Sequence, residues 1–302
     1  MTMSVINNTN AKPFLKWAGG KTQLLNNIEA RLPSQVRQGT IDKYVEPFVG
    51  GGAVFFYLVQ RYHFNHFYLL DINEDLIRCF QAVRDNVETL IRYLSQLKNE
   101  FHPLSQTERK KFFLEIRADF NEEKKRRFST KTAAKLIFLN KTCFNGLYRV
   151  NRKGEFNVPF GKYKNPNICD KENLRFVSEI LQSADIICGD FEDSIHFIDD
   201  NTFVYLDPPY RPISKTASFT SYSKDAFNQQ DQNRLADFCK KIDQKDGKFL
   251  LSNSDPKNED PDDHFFEDYY SKFHIERVKA SRAINCKGNK RGQIKELIIT
   301  NY

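Results

Sequence analysis

Short apolar runs, each closed by a polar or acidic residue, recur in two separated parts of the chain. The first group is YVEPF (44–48) and HFYLLD (66–71); the second is ADIICGD (184–190), TFVYLDPPY (202–210), KFLLSNS (248–254), HIERV (274–278) and ELIIT (296–300). Runs this apolar, bounded by turn residues, predict the buried strands of one α/β sheet. Stretches 51–60, 74–97, 174–182 and 230–241 carry apolar positions at helical spacing and predict the helices between them.

The texture changes between the two groups, over 86–169. Segments 88–97, 107–120 and 130–140 repeat apolar residues at helical spacing, and RVNRKGEFNVPF (149–160) predicts a β-hairpin turning at Arg152-Lys153-Gly154. The expected organisation is a sheet domain formed by 1–85 and 170–302, interrupted by a mainly helical domain at 86–169. The charge cluster EEKKRR (122–127) is expected in an exposed loop.

Composition narrows the class. With 302 residues, 40% hydrophobic and 14% aromatic, the chain can bury a sizeable core, which excludes a disordered protein. Apolar runs such as 53–59 are far too short for a bilayer, and 1–12 is polar with no apolar signal core, so a soluble intracellular protein is expected. The cysteines at 79, 143, 169, 188, 239 and 286 form no C-x-x-C pair, which predicts reduced, mostly buried thiols with no zinc site and no disulfide framework. The net charge of +7 is unevenly spread: Lys141, Arg149, Arg152, Lys153, Lys162 and Lys164 face only Glu155 within their segment, and Lys279, Arg282, Lys287, Lys290, Arg291 and Lys295 face no acid. Both segments mix charge with Asn, Gly and aromatic residues, the composition of a surface that tracks phosphates.

Three motifs carry chemistry. FLKWAGGKTQLL (14–25) ends like a phosphate loop, but Leu15 occupies the position of the first Walker glycine, so no phosphate cradle is expected there. EPFVGGGAVFF (46–56) places three glycines between a strand and a helix, and Phe55 stands where the dinucleotide fingerprint needs glycine. Asp71 closes the next strand about 20 residues on, where an acid bonds ribose hydroxyls. Glycines and acid together fit a nucleoside cofactor without a pyrophosphate, such as S-adenosylmethionine. VYLDPPY (204–210) sets Asp207 at the end of a buried strand before two prolines, each with φ fixed near −65°. An exocyclic amine lying there would give one hydrogen to the Asp207 carboxylate and one to the Pro208 carbonyl, with Tyr210 stacked on the base.

In this order FLKWAGGK (14–21), EPFVGGGAVFF (46–56), LLDIN (69–73), FLNKTCFNGLYRVNRKGEFNVPFGKYKNP (138–166), CGDF (188–191) and VYLDPPY (204–210) resemble the Dam-type, class α, DNA adenine-N6 methyltransferases, especially the GATC-specific members. The resemblance spans nearly the whole chain. It implies the S-adenosylmethionine-dependent methyltransferase fold, an α/β architecture whose mixed, mostly parallel seven-stranded sheet has helices on both faces, with an inserted DNA-recognition domain at 86–169. It also implies that Trp17, Lys21, Phe48, Gly50, Gly52 and Asp71 border the cofactor, that Asp190 and Phe191 lie near its adenine, and that Asp207, Pro208, Pro209 and Tyr210 form the catalytic motif. Arg149 matches the guanine-reading arginine, Leu147, Pro159 and Tyr163 match base-contacting positions, and Asn145 matches a neighbouring DNA contact. Phe144 stands where many members carry a wedging Tyr; it keeps the ring and lacks the hydroxyl.

The implied partners are double-stranded DNA at GATC sites and, in a restriction-modification setting, an endonuclease acting on the same site without a stable complex. Neither a metal nor a membrane is implied, and the implied location is the bacterial cytoplasm at the nucleoid. Methyl transfer is expected to be direct, onto an adenine flipped out of the duplex; no proline is followed by the Cys that a cytosine-C5 enzyme would use. Competing readings are a cytosine-N4 enzyme, which more often has Ser in place of Asp207, an RNA or protein amide methyltransferase, and a catalytically silent DNA-binding module.

Overall fold

A computed structural model describes residues 11–210, 227–281 and 293–302. Its seven strands are β1 (Lys43–Glu46), β2 (His66–Asp71), β3 (Ala184–Cys188), β4 (Thr202–Leu206), β5 (Lys248–Ser254), β6 (His274–Ser281) and β7 (Gln293–Thr300), ordered β3-β2-β1-β4-β5-β7-β6. The pairs β1–β2, β1–β4 and β4–β5 are parallel, whereas β7 runs antiparallel to both β5 and β6. Every residue of β4 is buried, as an apolar run covered on both sheet faces requires. This is the mostly parallel seven-stranded α/β sheet of the methyltransferase fold.

Contacts divide the chain into two compact units. The first comprises 1–20, 50–60 and 71–188. Its helices are α3 (Ala53–Val59), α4 (Glu74–Phe101), α5 (Gln106–Arg126), α6 (Thr130–Thr142) and α7 (Lys171–Leu181). Asn73 caps α4 by accepting the Leu76 N–H, and Glu74 and Asp75 in its first turn suit the helix dipole. α5 opens with a Ser105/Glu108 capping box, the sequence-legible start of a helix.

The second unit comprises 21–49, 61–70 and 189–302. It contains α1 (Leu25–Ala30), α2 (Ser34–Gln38), α8 (Gln229–Gln244) and α9 (Phe265–Tyr269). Its core joins Val45, Val204, Leu206, Phe249, Leu251, Leu297 and Ile299 of the sheet to Leu235, Phe238 and Ile242 of α8. Among the described residues no helix is long and apolar enough to cross a membrane, and no group of three His, Cys, Asp or Glu side chains is placed to hold a metal ion.

Two local expectations change. The cluster 122–127 is not a loop: residues 122–126 form the last turns of α5. Lys124 reaches the buried Asp75 at 2.6 Å, Glu123 takes Lys135 at 2.8 Å, and three cations in the final turn meet the negative end of the helix dipole. At 149–160 the chain does reverse, turning through Gly154 at φ +75°, but two isolated antiparallel bridges, Val150↔Phe156 and Cys143↔Phe160, hold it in place of continuous strands. Cys79, Cys143, Cys169 and Cys239 are buried free thiols and Cys188 is exposed. Cys286 lies outside the described residues, as do Arg282, Lys287, Lys290 and Arg291 of the second basic segment.

Candidate active site

In the second unit, β4 delivers Asp207 at its carboxyl end, where open α/β sheets bind ligands. The Lys21 ammonium lies 2.6 Å from Asp207 Oδ1, with side-chain exposures of only 5% for Lys21 and 18% for Asp207. Ser252 on β5 donates a longer bond to the same oxygen at 3.4 Å and shares a 3.0 Å hydroxyl pair with the buried Tyr205. Burial pushes the Asp207 carboxyl up to about 6, against the opposing pull of the Lys21 ammonium. Both hydrogen-bonding partners described for this carboxylate use Oδ1.

Pro208 is buried and Pro209 exposed. The fully buried Gln232 of α8 donates to the Pro209 carbonyl at 3.2 Å, fixing the main chain just beyond the acid. Tyr210 donates its hydroxyl to Glu296 at 2.8 Å, and Lys21 Nζ stands 4.4 Å from its ring centroid. In the same unit Phe48 stacks on Phe191 at 5.4 Å and 26°, with Phe227 edge-on to Phe48. Arg234 covers the Phe191 ring at 4.9 Å and binds Asp190 at 2.7 Å and Glu192 at 2.8 Å. The Asp190 carboxylate also caps the following turn by accepting the Glu192 N–H.

The first unit contains the glycine loop. Gly50 and Gly52 adopt φ +49° and +72°, a left-handed conformation that glycine takes without Cβ strain. A Cβ on Gly50 would lie 3.0 Å from the Trp17 indole, so backbone and ring are flush. Asp71 accepts the Gly50 N–H at 3.1 Å through Oδ2 and the Asn73 N–H at 2.9 Å through Oδ1. Burial raises its pKa, opposed by those two bonds. Trp17 stacks on Tyr148 at 5.2 Å and 26°, and the Tyr148 hydroxyl is anchored on Asp75 at 2.6 Å.

The reversal of the first unit presents the remaining sequence-predicted residues. Phe144 and Leu147 are 51% and 39% exposed. The Phe144 N–H donates to the Pro159 carbonyl, Asn145 sits at φ +55°, Lys16 Nζ lies 4.5 Å from the Tyr163 ring centroid, and Arg149 is exposed. The buried Asn140 joins two loops: it accepts the Lys16 N–H and donates to the carbonyls of Lys16 and Gly146, all within 2.9 Å. Ser252, Gln232, Glu296, Arg234, Asn140 and Tyr148 escaped the sequence reading. Only the polar end of KFLLSNS offered a signal, since a serine closing a buried strand beside DPPY suggests a partner for its acid.

Residues 17–284 match the family described as D12 class N6 adenine-specific DNA methyltransferase. The chain belongs to this family. The methyltransferase is 54% identical over 292 residues to the Type II methyltransferase M.MjaIII of Methanocaldococcus jannaschii, covering 96% of this chain and 99% of that one. It is 39% identical to the Type II methyltransferase M1.LlaDCHI of Lactococcus lactis subsp. cremoris, with 98% and 97% covered, and 34% identical to the DNA adenine methylase of Escherichia coli K12, with 95% and 94% covered. The enzyme is thus an adenine-specific DNA methyltransferase that uses S-adenosyl-L-methionine, with DNA as substrate; the cytosine, RNA, protein and silent-module readings fall away. Each unit carries chemistry of the kind such a cofactor would use: the Asp71 carboxylate in the first, and the stacked Phe48 and Phe191 rings in the second.

Proposed function

We propose that the enzyme methylates N6 of adenine within GATC in duplex DNA, on a base extruded from the helix. The observation that carries the chemistry is the half-buried Asp207 carboxylate at the end of β4, held through one oxygen by Lys21. Bound S-adenosylmethionine supplies an electrophilic methyl group on a sulfonium. Asp207 Oδ2 and the Pro208 carbonyl each accept one hydrogen of the adenine amine, which turns the nitrogen lone pair toward that methyl. With its carboxyl near 6, Asp207 is ionised at neutral pH and close enough in basicity to help take up the proton released from N6. Tyr210 stacks on the extruded base. The cofactor residues are Trp17, Lys21, Phe48, Gly50, Gly52, Asp71, Asp190, Phe191 and Asp207.

Target recognition is assigned to 86–169 and catalysis to 1–85 with 170–302. Arg149 reads guanine through O6 and N7 in the major groove, Leu147, Pro159 and Tyr163 contact bases, Asn145 contacts the DNA beside them, and Phe144 fills the stack left by the flipped base. The exposure of Phe144, Leu147 and Arg149 on one reversal supports this reading. The two Type II methyltransferase relatives favour a modification role beside an endonuclease cutting the same site; a solitary enzyme is the other setting, favoured by the DNA adenine methylase relatives. Transfer of labelled methyl groups to duplexes containing GATC, its single-base variants or no such site tests the proposal. Labelling confined to GATC adenine supports it, and labelling at a different sequence removes the roles given to Arg149 and its neighbours.

A further inference from the structure

The reversal that carries Arg149 has a rigid side and an exposed side. On the rigid side Phe156 and Val158 are each 1% exposed, and the Phe156 backbone is gripped from α5 in both directions: its N–H donates to Asn121 Oδ1 and its carbonyl accepts from Asn121 Nδ2. Arg117, also on α5, donates to the Val158 carbonyl. Between these anchors Asn157 faces the other side of the reversal. Its N–H donates to the Arg149 carbonyl at 3.1 Å, its Oδ1 accepts Arg149 Nε–H at 2.7 Å, and its carbonyl accepts from Arg149 Nη2 at 3.2 Å.

An arginine side chain carries five N–H groups in a planar fork. Nε–H and one hydrogen of Nη2 are engaged by Asn157, which leaves one hydrogen of Nη1 and the second of Nη2 parallel along the outer edge of the plane. Two parallel donors on that edge are what the O6 and N7 atoms of guanine require. An exposed arginine otherwise samples many rotamers, and ordering it on binding opposes affinity. Asn157 does that ordering in advance, from the half of the reversal that α5 holds still.

We infer that Asn157 is a positioning residue for base readout: it presents the outer edge of the Arg149 guanidinium, so discrimination at that G·C pair depends on Asn157 although another side chain touches the base. The inference rests on the guanine-reading role proposed for Arg149.

The test is equilibrium binding of the full-length protein, saturated with S-adenosylhomocysteine, to a fluorescent GATC duplex and to one whose first G·C pair is replaced by A·T. Asn157→Ala should lower the ratio of the two affinities about fivefold, the low end of a bidentate contact's discrimination. Arg149→Ala should lower it at least as much, and the double variant no further, because the two residues act as one unit. Asn157→Asp keeps the acceptor and adds a negative charge; it should retain the ratio while weakening both duplexes in a salt-dependent way. Equal weakening of both duplexes by Asn157→Ala, with Arg149→Ala still abolishing the ratio, would make Asn157 a phosphate or folding contact and overturn the inference alone. An unchanged ratio in Arg149→Ala would remove the base-reading role itself, and the inference with it.

Discussion

Lys21 and Asp207, 186 positions apart in sequence, form a 2.6 Å ion pair in which the lysine is almost wholly buried and the acid is 18% exposed. The pair sets the ionisation of the group proposed to bind the substrate amine, because the ammonium opposes the burial that raises the carboxyl to about 6.

Activity at Asp207 requires the carboxylate, so kcat/KM should rise with pH through a limb near 6. Removing the ammonium in Lys21→Met withdraws a stabiliser of the anion and moves that limb to higher pH by about 1 to 2 pH units, the usual effect of an adjacent opposite charge. Activity at pH 6 then falls more than activity at pH 8. A pH profile whose limb stays in place in Lys21→Met would free Asp207 from control by Lys21.

Trp17 is the only tryptophan of the chain, so its emission reports the glycine loop directly. Its stack on Tyr148 is an aromatic pair worth about 0.5–1.5 kcal/mol. Tyr148→Leu should weaken S-adenosylhomocysteine binding about 3- to 10-fold in a tryptophan-fluorescence titration. Tyr148→Phe keeps the ring, loses the hydroxyl on Asp75, and should bind within about twofold of the parent, since Lys124 still pairs with Asp75. Equal losses in both variants would assign the effect to the hydroxyl.

Phe144 is half exposed and supports no core, so Phe144→Ala should change unfolding free energy by no more than about 0.5 kcal/mol. If the ring occupies the space of an extruded adenine, the same variant should lose turnover. A duplex with 2-aminopurine at the target position should also show a smaller fluorescence rise on binding. Full turnover with an undiminished rise would take the wedge role away from Phe144.

Asn140 is 1% exposed and satisfies three backbone groups of two loops. Alanine there strands those groups and should cost about 2–3 kcal/mol. Urea denaturation should show a lower midpoint with an unchanged slope; a loss below about 0.5 kcal/mol would mean that water replaces all three bonds.

Strands were easy to find in the sequence because buried parallel strands are continuous apolar runs, and 66–71 and 248–254 were found to the residue. The far end of α5 was not, because its polar face reads as loop until Asp75 and Lys135 are seen to lie against it. Asp207 was legible from its prolines, whereas its partner was not: Lys21 sits after a Gly-Gly turn, and only the fold shows which acid it meets. Arg149 was legible as a charge in a family motif, yet its dependence on Asn157 needs the register of the reversal, which isolated bridges set and no periodicity records.

The antiparallel β7 has a consequence for synthesis. It lies between β5 and β6, burying Leu297 and Ile299, yet the ribosome reaches it after the other six strands have been made. Until then β5 and β6 have no strand to join them, and each presents an open edge of the kind that recruits other chains. Closure of the second unit therefore waits for residues 293–300, and a nascent chain stalled before residue 293 is exposed to aggregation along the edges of β5 and β6 that β7 later joins.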